Sequence, residues 1–153
     1  MPVREAVPAE VADIHALMLE HAAHEGAADQ IALTADGLAE HLFGAEPTVR
    51  ALVAEPPGAA GTVAGAALWH PTFSTWAGRS GIWLEDLYIR PGFRRHGLGR
   101  ALLDELRSRT GGRVEWDVMR GNEDAAAFYR SLGAFPVDQW TRYRWLPAVP
   151  VAG

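Results

Sequence analysis

The chain has no cysteine, and it has no lysine either: all 14 of its Lys+Arg residues are arginine. Without cysteine there is no disulfide, no thiolate nucleophile, no thiolate metal site and no acyl-cysteine intermediate. Without lysine there is no Schiff base to pyridoxal phosphate or to a carbonyl substrate, and no phosphate loop of the GxxxxGK[ST] kind. Positive charge is also in deficit, 14 basic residues against 19 acidic ones for a formal net charge of −5. That balance argues against nucleic acid or an anionic membrane as a partner held by the overall field, and leaves room for a local basic patch on a small anion. No apolar run approaches the roughly 18 residues of a membrane span, and Met1-Pro2-Val3-Arg4-Glu5 lacks the basic-then-apolar order of a signal peptide. A cytoplasmic protein is expected.

What is present is a core. With 153 residues, 48% of them apolar and 22% charged, the chain is expected to fold as one domain over residues 1–146, with a short C-terminal tail at 147–153. The spacing predicts a strand within 1–7, then a helix that starts near Pro8, repeats Val11, Ile14, Leu17 and Met18, and fades near Gly26. Thr34 is the expected N-cap of a second helix through Leu38, Leu42 and Phe43. Strand-like runs follow at 49–54, 62–69 and 82–89, the first two meeting as a hairpin. A third helix carries Leu98, Ala101, Leu102 and Leu106. Residues 114–118 read as a strand, and Asn122 caps a fourth helix that Gly133 stops. Residues 140–146 read as a last strand. Hairpins mixed with crossover helices predict an α+β or mixed α/β sheet of about six or seven strands with about four helices.

Chemistry concentrates in Arg94-Arg95-His96-Gly97-Leu98-Gly99-Arg100. Glycines allow close backbone approach, a helix N-terminus offers unpaired N–H groups and positive dipole, and arginines add charge-assisted bonds, which together make a pyrophosphate cradle. Leu102 stands where a dinucleotide fingerprint needs a third Gly or Ala, so a nicotinamide or flavin cofactor is disfavoured. His21 and His24 lie three apart on the first helix with no cysteine and no spaced partner; no metal site is expected from them, and they are expected to face solvent or a substrate pocket.

This segment resembles the Arg/Gln-x-x-Gly-x-Gly/Ala acetyl-CoA signature of the GNAT N-acetyltransferases. Upstream, Trp83-Leu84-Glu85-Asp86-Leu87-Tyr88-Ile89 is similar to that family's splayed strand. Downstream, Asn122 with Phe128-Tyr129 and Gly133-Ala134 is similar to its Asn…Phe-Tyr…Gly segment. Leu84-Glu85-Asp86, Phe43-Gly44-Ala45-Glu46-Pro47, Ile31-Ala32-Leu33-Thr34 and Ser74-Thr75-Trp76 resemble the spermidine/spermine and thialysine branch. Ser74-Thr75, in place of the acidic residue usual in the polyamine enzymes, looks like the thialysine type.

The resemblance implies the GNAT fold with a splayed strand pair, acetyl-CoA as cosubstrate, no metal, a small primary amine as acceptor and a homodimer. It assigns the cofactor to Leu87, Tyr88 and Ile89, to Arg94 through Arg100 (Arg94, Arg95, His96, Gly97, Leu98, Gly99, Arg100) and to Asn122. A primary amine with pKa near 10.4 needs roughly 4.6 kcal/mol to be deprotonated at pH 7, about 3.4 units at about 1.36 kcal/mol each. Glu85 is the expected acceptor of that proton, directly or through water. Asp86, next to it, would face the opposite way on a regular strand. A bulge is expected to free a backbone N–H near Leu87 for the oxyanion, and Tyr129 to protonate the departing thiolate. His24, Glu25, Ser74, Thr75, Trp76, Glu85, Asp86 and Asp138 are the expected acceptor-binding residues. Two other readings stay open: a polyamine acceptor, and a domain that binds acyl-CoA and transfers nothing.

Overall fold

The computed structural model of the chain describes residues 2–148, and its elements start and stop where local chemistry requires. After a short strand β1 (Val3–Glu5), a 3₁₀ turn at Pro8–Glu10 leads into helix α1 (Val11–His24), whose Ile14, Leu17 and Met18 are buried. Helix α2 (Ala35–Phe43) is capped as expected, Thr34 Oγ1 accepting from the Gly37 N–H at 3.0 Å. Strands β2 (Arg50–Ala54), β3 (Gly65–Ser74) and β4 (Arg79–Ile89) follow. Then come helix α3 (Leu98–Ser108), strand β5 (Val114–Glu115) and helix α4 (Glu123–Ser131), the last capped by Asn122 Oδ1 accepting from the Ala125 N–H at 3.2 Å.

The sheet runs in the order β1-β2-β3-β4-β5, antiparallel except for the parallel β4–β5 pair. The class is the expected mixed one, with five strands among the described residues rather than six or seven. The difference lies in ladders, not in local pattern. Residues 114–118 contribute two strand residues, because only Val114 and Glu115 pair with β4. Residues 140–146, rich in aromatic residues, carry no ladder, and strand-favouring composition cannot supply a hydrogen-bonding neighbour. In the other direction β3 runs five residues past Trp69, because β4 pairs with it as far as Ser74–Arg79.

Residues directly opposite one another share a sheet face, so Val53, Ala66 and Tyr88 lie on one face and Leu52, Ala67 and Leu87 on the other. The first face packs with Ile14, Leu17 and Met18 of α1 and Leu38 and Leu42 of α2 in one buried cluster. The second carries α3, which packs on β1 through β4 with Leu98, Leu102, Leu103 and Leu106 buried. The chain divides into two compact units, Met1–Trp116, which holds the sheet and α1–α3, and Asp117–Gly153, which holds α4. Part of the expected tail, residues 149–153, lies outside the described residues.

Candidate active site

A β-bulge shapes the site. Leu68 and Trp69 are adjacent on β3, but their partners on β4 are Asp86 and Leu84, so Glu85 is the extra residue. The bulge resets the strand's phase. Ile82 N–H donates outward to Arg113 O at 2.8 Å on the β5 side, whereas Arg90 N–H, an even number of residues later, donates to Ala64 O at 2.9 Å on the β3 side. On an unbroken strand both would face the same neighbour. After the reset, Asp86 and Tyr88 direct their amides to β3, and Leu87 and Ile89 direct theirs to the opposite edge. Among the described residues that edge is paired with β5 only at Ile82 and Trp83. The ladder therefore ends at Trp83, and among the described residues no strand pairs with the outer edge from Leu84 to Ile89.

The same reset corrects the expectation that Glu85 and Asp86 face opposite ways. Both line one cavity of about 590 Å³ between α1, α2 and the sheet. Its floor is apolar, with Met18, Leu38 and Leu68, and its polar lining includes Glu25, Glu85, Asp86, His21, His41 and His70. Three carboxylates in one cavity suit a cationic ligand. Glu85 is held by Trp83, whose indole Nε1–H donates to Oε2 at 3.0 Å.

His21 sits between the other two carboxylates. Its Nε2 is 3.0 Å from Glu25 Oε1, and its Nδ1 is 3.5 Å from Asp86 Oδ1. The ring stacks on Tyr88 with centroids 5.3 Å apart and planes 19° apart. The Asp86 carboxylate, with help from Glu25, raises the imidazole pKa above its ordinary value, and partial burial opposes that rise.

The cradle has the backbone its sequence demands. Gly97 is the N-cap of α3 in the left-handed region, φ 76° and ψ 11°, and has no side chain to cap the helix. Arg95 also has positive φ, 67°. The first-turn amides of Leu98, Gly99 and Arg100 precede the first intrahelical donor, Ala101 N–H to Gly97 O at 2.9 Å, and so are suited to an anion. Leu98 is buried and offers backbone alone; Arg95, His96 and Arg100 are solvent-exposed or half-exposed. Arg94 turns back instead: its Nε–H donates to Ile89 O at 2.8 Å and its guanidinium lies 5.5 Å from the Tyr88 ring centre. It closes the end of the open β4 edge.

The remaining expected residues divide by position. Glu25 lines the cavity and His24, also exposed, does not. Ser74, Thr75 and Trp76 form the β3–β4 turn outside the cavity lining, with Ser74 Oγ accepting from Ala77 N–H at 3.1 Å and Trp76 81% exposed. In the second unit Tyr129 lies on α4 with its ring centroid 5.5 Å from that of Phe128, Asn122 is the α4 cap, and Asp138 is exposed in a turn. The sequence did not single out His41 and His70 as cavity residues, and His21, expected to face solvent or a substrate pocket, lines the cavity. For His21 a signal existed: it is four residues before Glu25, on the same helix face, whereas His24 is not. Among the described residues no group of His, Asp and Glu is placed to hold a metal ion, and no helix is long and apolar enough to cross a membrane.

With this geometry in view, similarity to known proteins is informative. The acetyltransferase (GNAT) family model matches residues 19–134. The thialysine N-epsilon-acetyltransferase of Bos taurus is 31% identical over 141 residues, covering 86% of this chain and 82% of that protein. The L-ornithine N5-acetyltransferase of Arabidopsis thaliana is 34% identical over 82 residues, 51% of this chain and 36% of that protein. An integron cassette protein from the mobile metagenome of V. cholerae has the same fold, with a TM-score of 0.76 at 22% identity over 97% of this chain and 94% of that one.

Proposed function

The chain belongs to the GNAT family of acetyltransferases, and we propose that it transfers the acetyl group of acetyl-CoA directly to a primary amine of a small substrate, a thialysine- or lysine-like amino acid or a diamine. The observation that carries this reading is the bulge at Glu85, which brings two adjacent carboxylates into one cavity and turns the Leu87 and Ile89 amides to an open edge. We propose residues 1–146 as one catalytic domain that works as a homodimer.

Acetyl-CoA, the cosubstrate of GNAT acetyltransferases, supplies the thioester acyl group. The residues fit it on one structural ground in particular: α3 begins without a side-chain cap, so its first-turn amides are left for phosphate oxygens. Arg95, His96, Gly97, Leu98, Gly99 and Arg100 would hold the pyrophosphate, and the outward amide of Ile89 the extended arm, with Tyr88 and Arg94 bracing that edge. Asn122 is assigned a contact by its motif, in addition to its cap.

Glu85, Asp86 and Glu25 hold the acceptor's ammonium, and Glu85 takes its proton, directly or through water, as the amine attacks. With no cysteine in the chain, the amine receives the acetyl group directly. Leu87 N–H donates to the acyl oxygen as negative charge grows there. Tyr129, from its motif position, holds at Oη the proton that the leaving sulfur requires. His24, Ser74, Thr75, Trp76 and Asp138 are proposed, on the resemblance alone, for the far end of the acceptor.

Thiol release from acetyl-CoA tests the reading with thialysine, lysine, putrescine, spermidine and an aminoglycoside as acceptors. Turnover led by thialysine or lysine supports it, and turnover led by spermidine moves the chain to the polyamine acceptors. Coenzyme A binding with no turnover on any amine favours a binding domain instead. Because the protein has no lysine, self-acetylation at lysine adds no background.

A further inference from the structure

Each ring nitrogen of His21 faces a carboxylate oxygen, Glu25 Oε1 at 3.0 Å and Asp86 Oδ1 at 3.5 Å. An ionised carboxylate only accepts, so both contacts are satisfied only when both nitrogens carry protons and the ring is an imidazolium. The ring lines the cavity together with Glu25, Glu85 and Asp86. We propose that His21 is a built-in counter-ion that lowers the negative charge of the acceptor cavity and so penalises a diamine more than a singly charged acceptor, such as a lysine-like amino acid. This inference rests on the reading of the cavity as the amine site.

The selection follows from how electrostatic energy scales. The unfavourable interaction of a ligand with the His21 charge is proportional to the ligand's own charge, so a dication feels it twice as strongly as a monocation. Of the three cavity carboxylates, one is then neutralised by a resident group and two remain for the ligand. The groups facing His21 are Glu25 on its own helix, Asp86 and Tyr88 on β4, and, across the cavity, Glu85, His41 of α2 and His70 of β3. The carboxylates favour the charged ring, in keeping with its raised pKa. Tyr88 supports it as a stacking surface.

Titration calorimetry on the full chain, with lysine as monocation and putrescine as dication, tests the inference without turnover. His21→Gln removes the charge and keeps a polar side chain; His21→Arg fixes the charge at every pH. His21→Gln is expected to tighten lysine about threefold and putrescine about tenfold, the second factor being the square of the first. His21→Arg is expected to leave putrescine weak. In the unsubstituted protein putrescine should tighten as pH rises through the raised pKa of the ring and the ring loses its proton, and in both variants that pH dependence should vanish. Equal effects on the two amines, or a pH dependence that survives in His21→Gln, overturns the role of His21. Failure of either amine to bind any of the three proteins overturns the amine-site reading with it.

Discussion

Ile82 and Arg90 are eight residues apart at the two ends of one stretch of chain, yet their backbone N–H groups point to opposite neighbours, Ile82 to Arg113 and Arg90 to Ala64. The reversal is the Glu85 bulge read at the backbone, and it couples two functions. One extra residue sends Glu85 and Asp86 into the same cavity and leaves the Leu87 and Ile89 amides facing outward.

Glu85→Gln should therefore lower acceptor-dependent turnover by about 10²- to 10⁴-fold, the range typical for loss of a general base. Glu85 is exposed and its recorded hydrogen bond is to Trp83, so the melting midpoint should hardly move and coenzyme A affinity should be unchanged. Steady-state kinetics beside a thermal melt checks this. A turnover loss matched by lost coenzyme A affinity would mean that the carboxylate organises the cofactor edge instead.

Gly65→Ala tests the strand edge from the other side. A Cβ at Gly65 would stand 2.7 Å from Tyr88 O and against Ile89 Cδ1, so β3 and β4 must separate where the cofactor strand is braced. Overpacking of this kind costs about 1–3 kcal/mol. A denaturant titration should show that loss together with weaker coenzyme A binding.

Gly97→Ala examines backbone conformation rather than space, because nothing lies within 4 Å of the added Cβ. At φ 76° the left-handed conformation should cost about 1–2 kcal/mol. Relief of that strain by movement of the loop should weaken coenzyme A binding, while the affinity of the amine cavity stays as it was. Calorimetry with each ligand separately distinguishes the two effects.

Away from the site, Arg4 and Glu10 supply an acid-sensitive clamp on the β1–α1 corner. Arg4 Nη1 and Nη2 donate to Glu10 Oε1 and Oε2 at 3.0 and 2.7 Å, and Arg4 Nε donates to Glu55 Oε1 at 2.6 Å. The hydrogen bonds from Arg4 hold the Glu10 carboxyl below its ordinary pKa. A carboxylate depressed in the folded state adds stability that is present above its unfolded value, about 4.5, and is lost as pH falls through the lowered one. Glu10→Gln should therefore lower stability at neutral pH and flatten the decline below about pH 4.5. Denaturant midpoints across that range check the sign.

The periodic part of this architecture was legible in the residues. Ile14-Leu17-Met18 and Leu98-Leu102-Leu106 repeat at helical spacing and are buried, and Thr34 and Asn122 cap the helices they precede. Pairing was not legible. Nothing in Leu84-Glu85-Asp86 announces which residue β3 will skip, and a skipped partner is what brings both acidic side chains to one cavity. Residues 140–146 have the aromatic composition of a strand, but composition does not specify a pairing neighbour. His21 rather than His24 shares the cavity with Glu25, because four-residue spacing, not adjacency in sequence, places two side chains together on a helix. Ser74, Thr75 and Trp76 carry a family likeness that local pattern could not locate relative to the cavity, and they form the far turn of the β3–β4 hairpin.

The most direct test of the account follows a lysine-like acceptor to its product: acetyl-CoA, thialysine and the purified chain, with the product identified by mass spectrometry and the same mixture run with Glu85→Gln. The account predicts monoacetylated thialysine formed in step with thiol release, and loss of both in the variant. Thiol release without acetylated amine, or equal product from the variant, would contradict it.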